Sequence, residues 1–329
     1  MSDWKLIIPY LRPIEHLIVD DEVSEIMCNP GGAVFLERAG RLEPTSVQMG
    51  GSFLETAIRN IARGLQMEVC EKTPLLDARL PDGSRVAATW RPISVGGASL
   101  TIRKFQSKRF TGEDLVGRGA LTVAQLEALV SAVKHRETIL ISGGTGAGKS
   151  SVLNALAEYI PPEERIVLIE DTAELSLNQP NLVRLEARRE LAELPAITIQ
   201  MLVRQSLRMR PDRLIVGEVR GAEGWDLLQA LNTGHEGSLS TIHGNSALGS
   251  LSRLRTCIAM AGMDLPPPAI AQAIAEAVRW LVHIKRLSDG TRVVTEVLML
   301  NDYNAAADSY EVTRLCELVP LSTNRRKEA

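Results

Sequence analysis

The chain has 329 residues, of which 45% are hydrophobic and 23% charged, and a formal net charge of −3. That is enough for two domains of ordinary size with apolar cores, and it excludes a global basic field that would draw the protein to nucleic acid. Aromatics make up only 4%, so the cores must be built from Leu, Ile, Val, Ala and Met. The first residues, MSDWKLIIPYLRPIEH, hold a short apolar stretch interrupted by Pro9. They lack the basic start and longer apolar run of a signal peptide. No run of about 18 apolar residues follows, so no membrane-spanning helix is expected and the protein is read as intracellular. The cysteines Cys28, Cys70, Cys257 and Cys316 are scattered, with no CxxC pair and no histidine at ligand spacing. Buried reduced thiols are the expectation, and zinc is not.

Two halves of different character follow one another. Residues 33–44, AVFLERAGRLEP, read as a strand, a tight turn at Ala39-Gly40 and a returning strand. Residues 52–65 carry Phe53, Ala57, Ile61 and Leu65 at helical spacing. Residues 75–90, LLDARLPDGSRVAATW, form a hairpin pattern about Asp82-Gly83, and SLTIRKF (99–105) adds a strand. Residues 1–105 are therefore expected to form a small α+β domain. The polar, glycine-containing stretch 106–120 reads as an interdomain linker.

From 121 to 329 the pattern changes to alternating helix and strand. LEALVSAV (126–133) is an amphipathic helix with Leu126, Leu129, Val130 and Val133 on one face. TILIS (138–142), RIVLI (165–169), DRLIVG (212–217) and SLSTI (238–242) are short apolar runs of the kind a parallel sheet buried on both faces requires. A helix is expected over 269–281, then a hairpin over 282–300 about Asp289-Gly290; the tail TNRRKEA reads as frayed.

Residues 143–150, GGTGAGKS, fit G-x-x-x-x-G-K-[ST] between a predicted strand and the predicted helix SSVLNALAEYI. Glycines there let backbone N–H groups turn inward around phosphates, and the helix N-terminus adds partial positive charge. The phosphate-binding candidates are Gly143, Gly144, Thr145, Gly146, Ala147, Gly148, Lys149, Ser150 and Ser151. Lys149 would meet the β- and γ-phosphates, and the Ser150 hydroxyl would ligate Mg²⁺. Other polar residues fall at the C-terminal ends of the predicted parallel strands, where open α/β sheets bind ligands. These are Glu170-Asp171, Glu218 followed by Arg220, and His243. Carboxylates at that edge can hold Mg²⁺ or activate water, and a histidine can donate to a γ-phosphate. No Asn-Lys-x-Asp guanine reader is present, which points to ATP.

Four segments together, GGTGAGKS, IEDTAEL (169–175), LRMRPDRLIVGEVRG (207–221) and TGHEGSLSTIHGNS (233–246), resemble the Walker A, Asp box, Walker B and His box of the type II/type IV secretion ATPases. The branch most similar is that of the Tad-pilus (CpaF-like) and conjugal-transfer ATPases, to which AGMDLPPPAIAQAIAEAV and RLSDGTRVV are also similar. The resemblance implies a RecA-like P-loop NTPase core of the α/β class preceded by a small PAS-like α+β domain. It implies that Glu170 is the Asp-box acid, that Glu218 is the Walker B acid and a Mg²⁺ ligand, and that His243, with His235 beside it in the motif, senses the γ-phosphate. Arginines of the N-terminal domain that reach the phosphates would be Arg85 and Arg103. Such contacts can be worth about 10³–10⁵ in rate. It further implies a homohexamer at the cytoplasmic face of the inner membrane, working on a membrane platform by rocking across the linker. Two other readings compete: a nucleic-acid translocase on the same core, and a nucleotide-gated scaffold without turnover. The arginines Arg204, Arg208, Arg210 and Arg213 flank the Walker B strand and read as subunit contacts rather than a DNA channel, so direct nucleic-acid binding is not expected.

Overall fold

The computed structural model describes residues 8–317 apart from 39, 81, 106–109, 189 and 191–193. Ala39 of the expected first turn and the tail TNRRKEA therefore lie outside the described residues. The chain separates into two units, Met1–Lys108 and Arg109–Ala329.

The first unit runs α1 (Glu15–Ile18), β1 (Val23–Cys28), β2 (Ala33–Arg38), β3 (Arg41–Gln48), α2 (Gly51–Gly64), β4 (Leu75–Arg79), β5 (Arg85–Thr89) and β6 (Ser99–Arg103). The six strands form one sheet in the order β3-β2-β1-β6-β5-β4, with every pairing antiparallel. The period-two alternation sends Ile26, Val34, Leu36, Val86, Leu100 and Ile102 to one face, where they meet Leu54, Ala57, Ile58, Ile61 and Ala62 of α2. Phe53, expected on that buried helix stripe, is exposed. Ala57 and Ile61 are buried as expected, and Leu54, Ile58 and Ala62 widen the stripe on the side away from Phe53.

The second unit runs α3 (Gly112–Gly117), α4 (Val123–Lys134), β7 (Ile139–Gly143), α5 (Lys149–Ala157), β8 (Ile166–Glu170), β9 (Leu182–Glu186), α6 (Ile199–Ser206), β10 (Arg213–Val219), α7 (Glu223–Leu231), β11 (Leu239–His243), α8 (Ala247–Ala259), α9 (Pro267–Ala277), β12 (Trp280–Arg286), β13 (Arg292–Asn304) and β14 (Ser309–Glu317). The sheet order is β14-β13-β12-β7-β11-β10-β8-β9. Strands β12 to β9 in that order are parallel, and β13 and β14 extend the sheet as antiparallel arms. All four predicted parallel strands are present.

Both faces of this sheet are covered, which is why its strands read as unbroken apolar runs. Ile139, Ile141, Ile166, Leu168 and Ile215 face Leu129, Val133, Val152, Leu153 and Leu156 on one side. Leu140, Val167, Ile169, Leu214 and Val216 face Leu228, Leu251, Leu254, Ile258 and Ile274 on the other.

Two sequence expectations need correction. The stretch 106–120 contains α3, and Leu115 and Ala120 join the core of the second unit. A capping box starts this helix: the Thr111 hydroxyl accepts from Asp114 N–H, and the Asp114 carboxylate accepts from Thr111 N–H. The helix expected over 269–281 ends at Ala277, and Trp280 and Leu281 already belong to β12.

At the N-terminal edge of the sheet, Arg213 is fully buried. Its Nη1 donates to Gly237 O at 2.8 Å and its Nη2 to Val133 O at 2.9 Å, and it pairs with Glu164. Arg213 is thus an internal tie and not a subunit contact. Arg204 of the same cluster pairs with Asp226 of α7. Removing one partner of a buried ion pair costs roughly 3–5 kcal/mol, so Arg213→Ala should lower the urea midpoint of the second unit sharply. An unmoved midpoint would mean that Arg136, 3.5 Å from Glu164, replaces it.

Candidate functional site

The phosphate loop leaves β7 and enters α5. Gly148 takes φ +102° at the N-cap of α5, a left-handed turn that side chains resist. Ala147 is buried in the core, while Gly144 and Thr145 are exposed and Ser150 and Ser151 are half-buried. The loop is therefore anchored from below and open above.

Lys149 is only 8% exposed. Its ammonium donates to Gly143 O at 3.1 Å and Gly144 O at 3.2 Å, and stands 3.5 Å from both Glu218 Oε1 and His243 Nδ1. His243 Nε2 lies 3.0 Å from the same Glu218 oxygen. With Nδ1 turned to an ammonium, the ring accepts there and donates through Nε2–H to the carboxylate. Burial first, then the Lys149 charge, lowers the His243 pKa and favours this neutral form. Glu218 also holds Arg220, which reaches Asp171 at 3.1 Å. Lys149, Glu218, Arg220, Asp171 and His243 thus form one continuous ionic cluster drawn from four strand ends.

Local backbone detail aims these groups. The β10–β11 register slips between Val216 and Val219, so Gly217 and Glu218 lie in a bulge; bulges re-aim side chains at strand ends. Thr241 Oγ1 donates to Gly217 O at 2.6 Å and Ser240 Oγ to Val216 O at 2.9 Å, tying the bulge to β11. Gly217 leaves room for Glu170, whose Cγ would lie 3.0 Å from any Cβ there.

Glu170 is 4% exposed. Its Oε1 accepts from the N–H groups of Glu174 and Leu175, both at 2.8 Å, and Arg184 stands 3.6 Å from Oε2. Burial raises its pKa, against the lowering effect of those two amides and Arg184. If turnover needs this carboxylate ionised, the rate should climb with pH across a range above that of an ordinary glutamate. Glu170→Gln should then lose that acid limb. A variant keeping the wild-type pH–rate profile would remove Glu170 from the chemistry. Arg184, on the unpredicted strand β9, is a residue that sequence reasoning missed.

Not every candidate converges. His235 lies before β11, at the end of that strand opposite His243, where its Nδ1 is 3.1 Å from Ala230 O; it is not part of the cluster. Arg85 and Arg103 belong to the first unit, where they stand opposite one another in the β5–β6 register, with Arg79 opposite Arg85 on β4. Ser150 and Glu218 offer only hard oxygen donors, which suit Mg²⁺ when phosphate oxygens and water complete its shell. Among the described residues no group of three or more His, Cys, Asp or Glu forms a metal cage by itself. No helix among them is long and apolar enough to cross a membrane.

A parallel sheet covered by helices on both faces, with a glycine loop between strand and helix and acids at the neighbouring strand ends, defines a RecA-like P-loop NTPase fold. Residues 10–308 match the family model described as "Type II/IV secretion system protein", and the chain belongs to that family. It is 38% identical over 287 residues to the conjugal transfer protein TrbB of Rhizobium radiobacter, covering 86% of this chain and 85% of that protein. It is 32% identical over 308 residues to protein VirB11 of Agrobacterium fabrum, covering 85% and 89%. The X-ray structure of the ATPase DotB from Legionella pneumophila shares the fold, with a TM-score of 0.64, 21% identity and coverage of 89% of this chain and 81% of that one.

Proposed function

We propose that the protein is a Mg²⁺-dependent ATPase working as a homohexameric motor at the cytoplasmic face of the inner membrane. There it would drive a conjugation, secretion or pilus-assembly system through a membrane platform. The observation that carries the reading is the convergence of Lys149, Glu218 and His243 at the mouth of the phosphate loop. Lys149 binds the β- and γ-phosphates, the loop from Gly143 to Ser151 cradles them, and His243 exchanges its Nε2–H bond to Glu218 for one to the γ-phosphate when the nucleotide is bound. Glu218 is the carboxylate nearest the phosphates; it orients or deprotonates the attacking water. Glu170, with Oε1 committed to two amides, supports that end of the site. Ser150 and Glu218 would hold the magnesium that accompanies the nucleotide, and it would supply neutralisation of phosphate charge. Arg85 and Arg103 supply further positive charge to the transition state. The conjugal transfer protein among the relatives supports the conjugation branch of this reading.

The test is ATPase rate and mass by light scattering, with and without a non-hydrolysable ATP analogue. A hexamer with turnover supports the reading. A monomer that stays inactive with membranes carrying the platform overturns it. A nucleic-acid translocase gains little from the arginine cluster, since Arg213 is buried and Arg204 is paired, which leaves the exposed Arg208 and Arg210.

A further inference from the structure

Strand β12 runs past the phosphate loop. It pairs in parallel with β7 from Trp280 opposite Ile139 to Ile284 opposite Gly143. Lys285 and Arg286 therefore continue alongside the first residues of the loop. The chain reverses through 287–291, closed by Leu287 N–H to Thr291 O at 2.7 Å and Gly290 N–H to Leu287 O at 3.0 Å. Asp289 accepts from Thr291 N–H at 2.9 Å. Arg292 then returns opposite Arg286.

Both guanidinium side chains reach the loop. Arg292 Nε donates to Gly146 O at 2.9 Å. Its Cδ lies 3.1 Å from the point where a Cβ on Gly148 would stand, and Arg286 Nη1 lies 3.7 Å from the equivalent point on Gly146. Both arginines are half-buried. This hairpin is thus fastened to the loop from one flank.

That flank is opposite to the acids. In the sheet order β12-β7-β11-β10-β8, His243 and Glu218 lie on one side of β7 and the hairpin on the other. A nucleotide with its terminal phosphates at Lys149, facing His243 and Glu218, extends its α-phosphate and nucleoside away from them, towards β12. A planar guanidinium suits both a phosphate oxygen and the face of a base.

We propose that Arg286 and Arg292 form the subsite for the nucleoside-monophosphate end of the bound nucleotide. Arg292 positions the loop through Gly146 O, and Arg286 contacts the α-phosphate and base. The inference rests on the nucleotide-binding reading above, and the experiment separates the two.

The full chain is titrated calorimetrically with MgADP and, separately, with magnesium and inorganic pyrophosphate, which fills the terminal phosphate positions and has neither an α-phosphate nor a nucleoside. Arg286→Ala and the neutral polar Arg286→Gln should each weaken MgADP by about tenfold, the loss of one charge-assisted contact. Pyrophosphate affinity should fall by much less. Equal losses for the two ligands would reduce Arg286 to a general positive charge beside the loop and overturn the proposal. Unchanged MgADP affinity in a variant with wild-type thermal stability would overturn it as well. Wild-type protein that binds neither ligand, or that binds both as well after Lys149→Ala, would overturn the nucleotide-binding reading and the subsite with it.

Discussion

Lys149→Ala should abolish measurable nucleotide binding and, with it, turnover. The side chain is the only cation among the described residues that touches the phosphate-loop carbonyls and Glu218 together. Its removal takes the positive charge from under the terminal phosphates and leaves the Glu218 carboxylate facing them, where like charge repels. Truncating one partner of a desolvated charge pair costs about 2–5 kcal/mol. That corresponds to a loss of affinity of roughly 30- to 4,000-fold. Equilibrium binding of a fluorescent ATP analogue, with thermal unfolding as a fold control, reads this directly. A folded variant that still binds with wild-type affinity would show that Gly143–Ser150 is not the phosphate site.

Glu218→Gln should give the complementary phenotype, near-normal ATP binding with stalled hydrolysis. The amide oxygen can still accept from His243 Nε2–H, but the charge that Lys149 and Arg220 face is gone. A positioned general base contributes about 10²–10⁴-fold, and the single-turnover rate should fall by that order. Binding should hold or tighten, because repulsion between the carboxylate and the γ-phosphate is relieved. If Glu218→Gln hydrolyses ATP normally, the water-activating role passes to Glu170, and the pH–rate profile of Glu170→Gln becomes the deciding measurement.

Much of the second unit was legible because its chemistry is local. The loop 143–150 sits between a strand and a helix, and the strands before Glu170, Glu218 and His243 are apolar runs too short and too β-branched for helices. What escaped depends on neighbours. Strand β9 (Leu182–Glu186) has exposed alternate residues and no strong apolar run, yet it supplies Arg184. Strand β12 merges with a helical pattern, since Trp280 and Leu281 suit either periodicity, and only pairing with β7 decides. The helix α3 was hidden by Gly112, Gly117 and Gly119, although Thr111 and Asp114 carry a capping signal at the correct spacing. The bulge at Gly217-Glu218 and the slot that admits Glu170 are tertiary facts with no pattern in the chain. His235 shows the converse. Motif proximity placed it near the chemistry, but it lies at the opposite end of the strand.

Strand β7 is held by parallel partners on both flanks, β11 and β12, and every one of its five residues is buried. Beneath the loop, the Ser142 hydroxyl lies 2.9 Å from Nδ1 of the buried His283 on β12. The amide protons of Ile139–Gly143 should consequently exchange with deuterated solvent only when the second unit unfolds as a whole. Those of Gly144–Gly148, a few residues on, should exchange by small local openings. The boundary between a slow root and a fast loop should fall between Gly143 and Gly144.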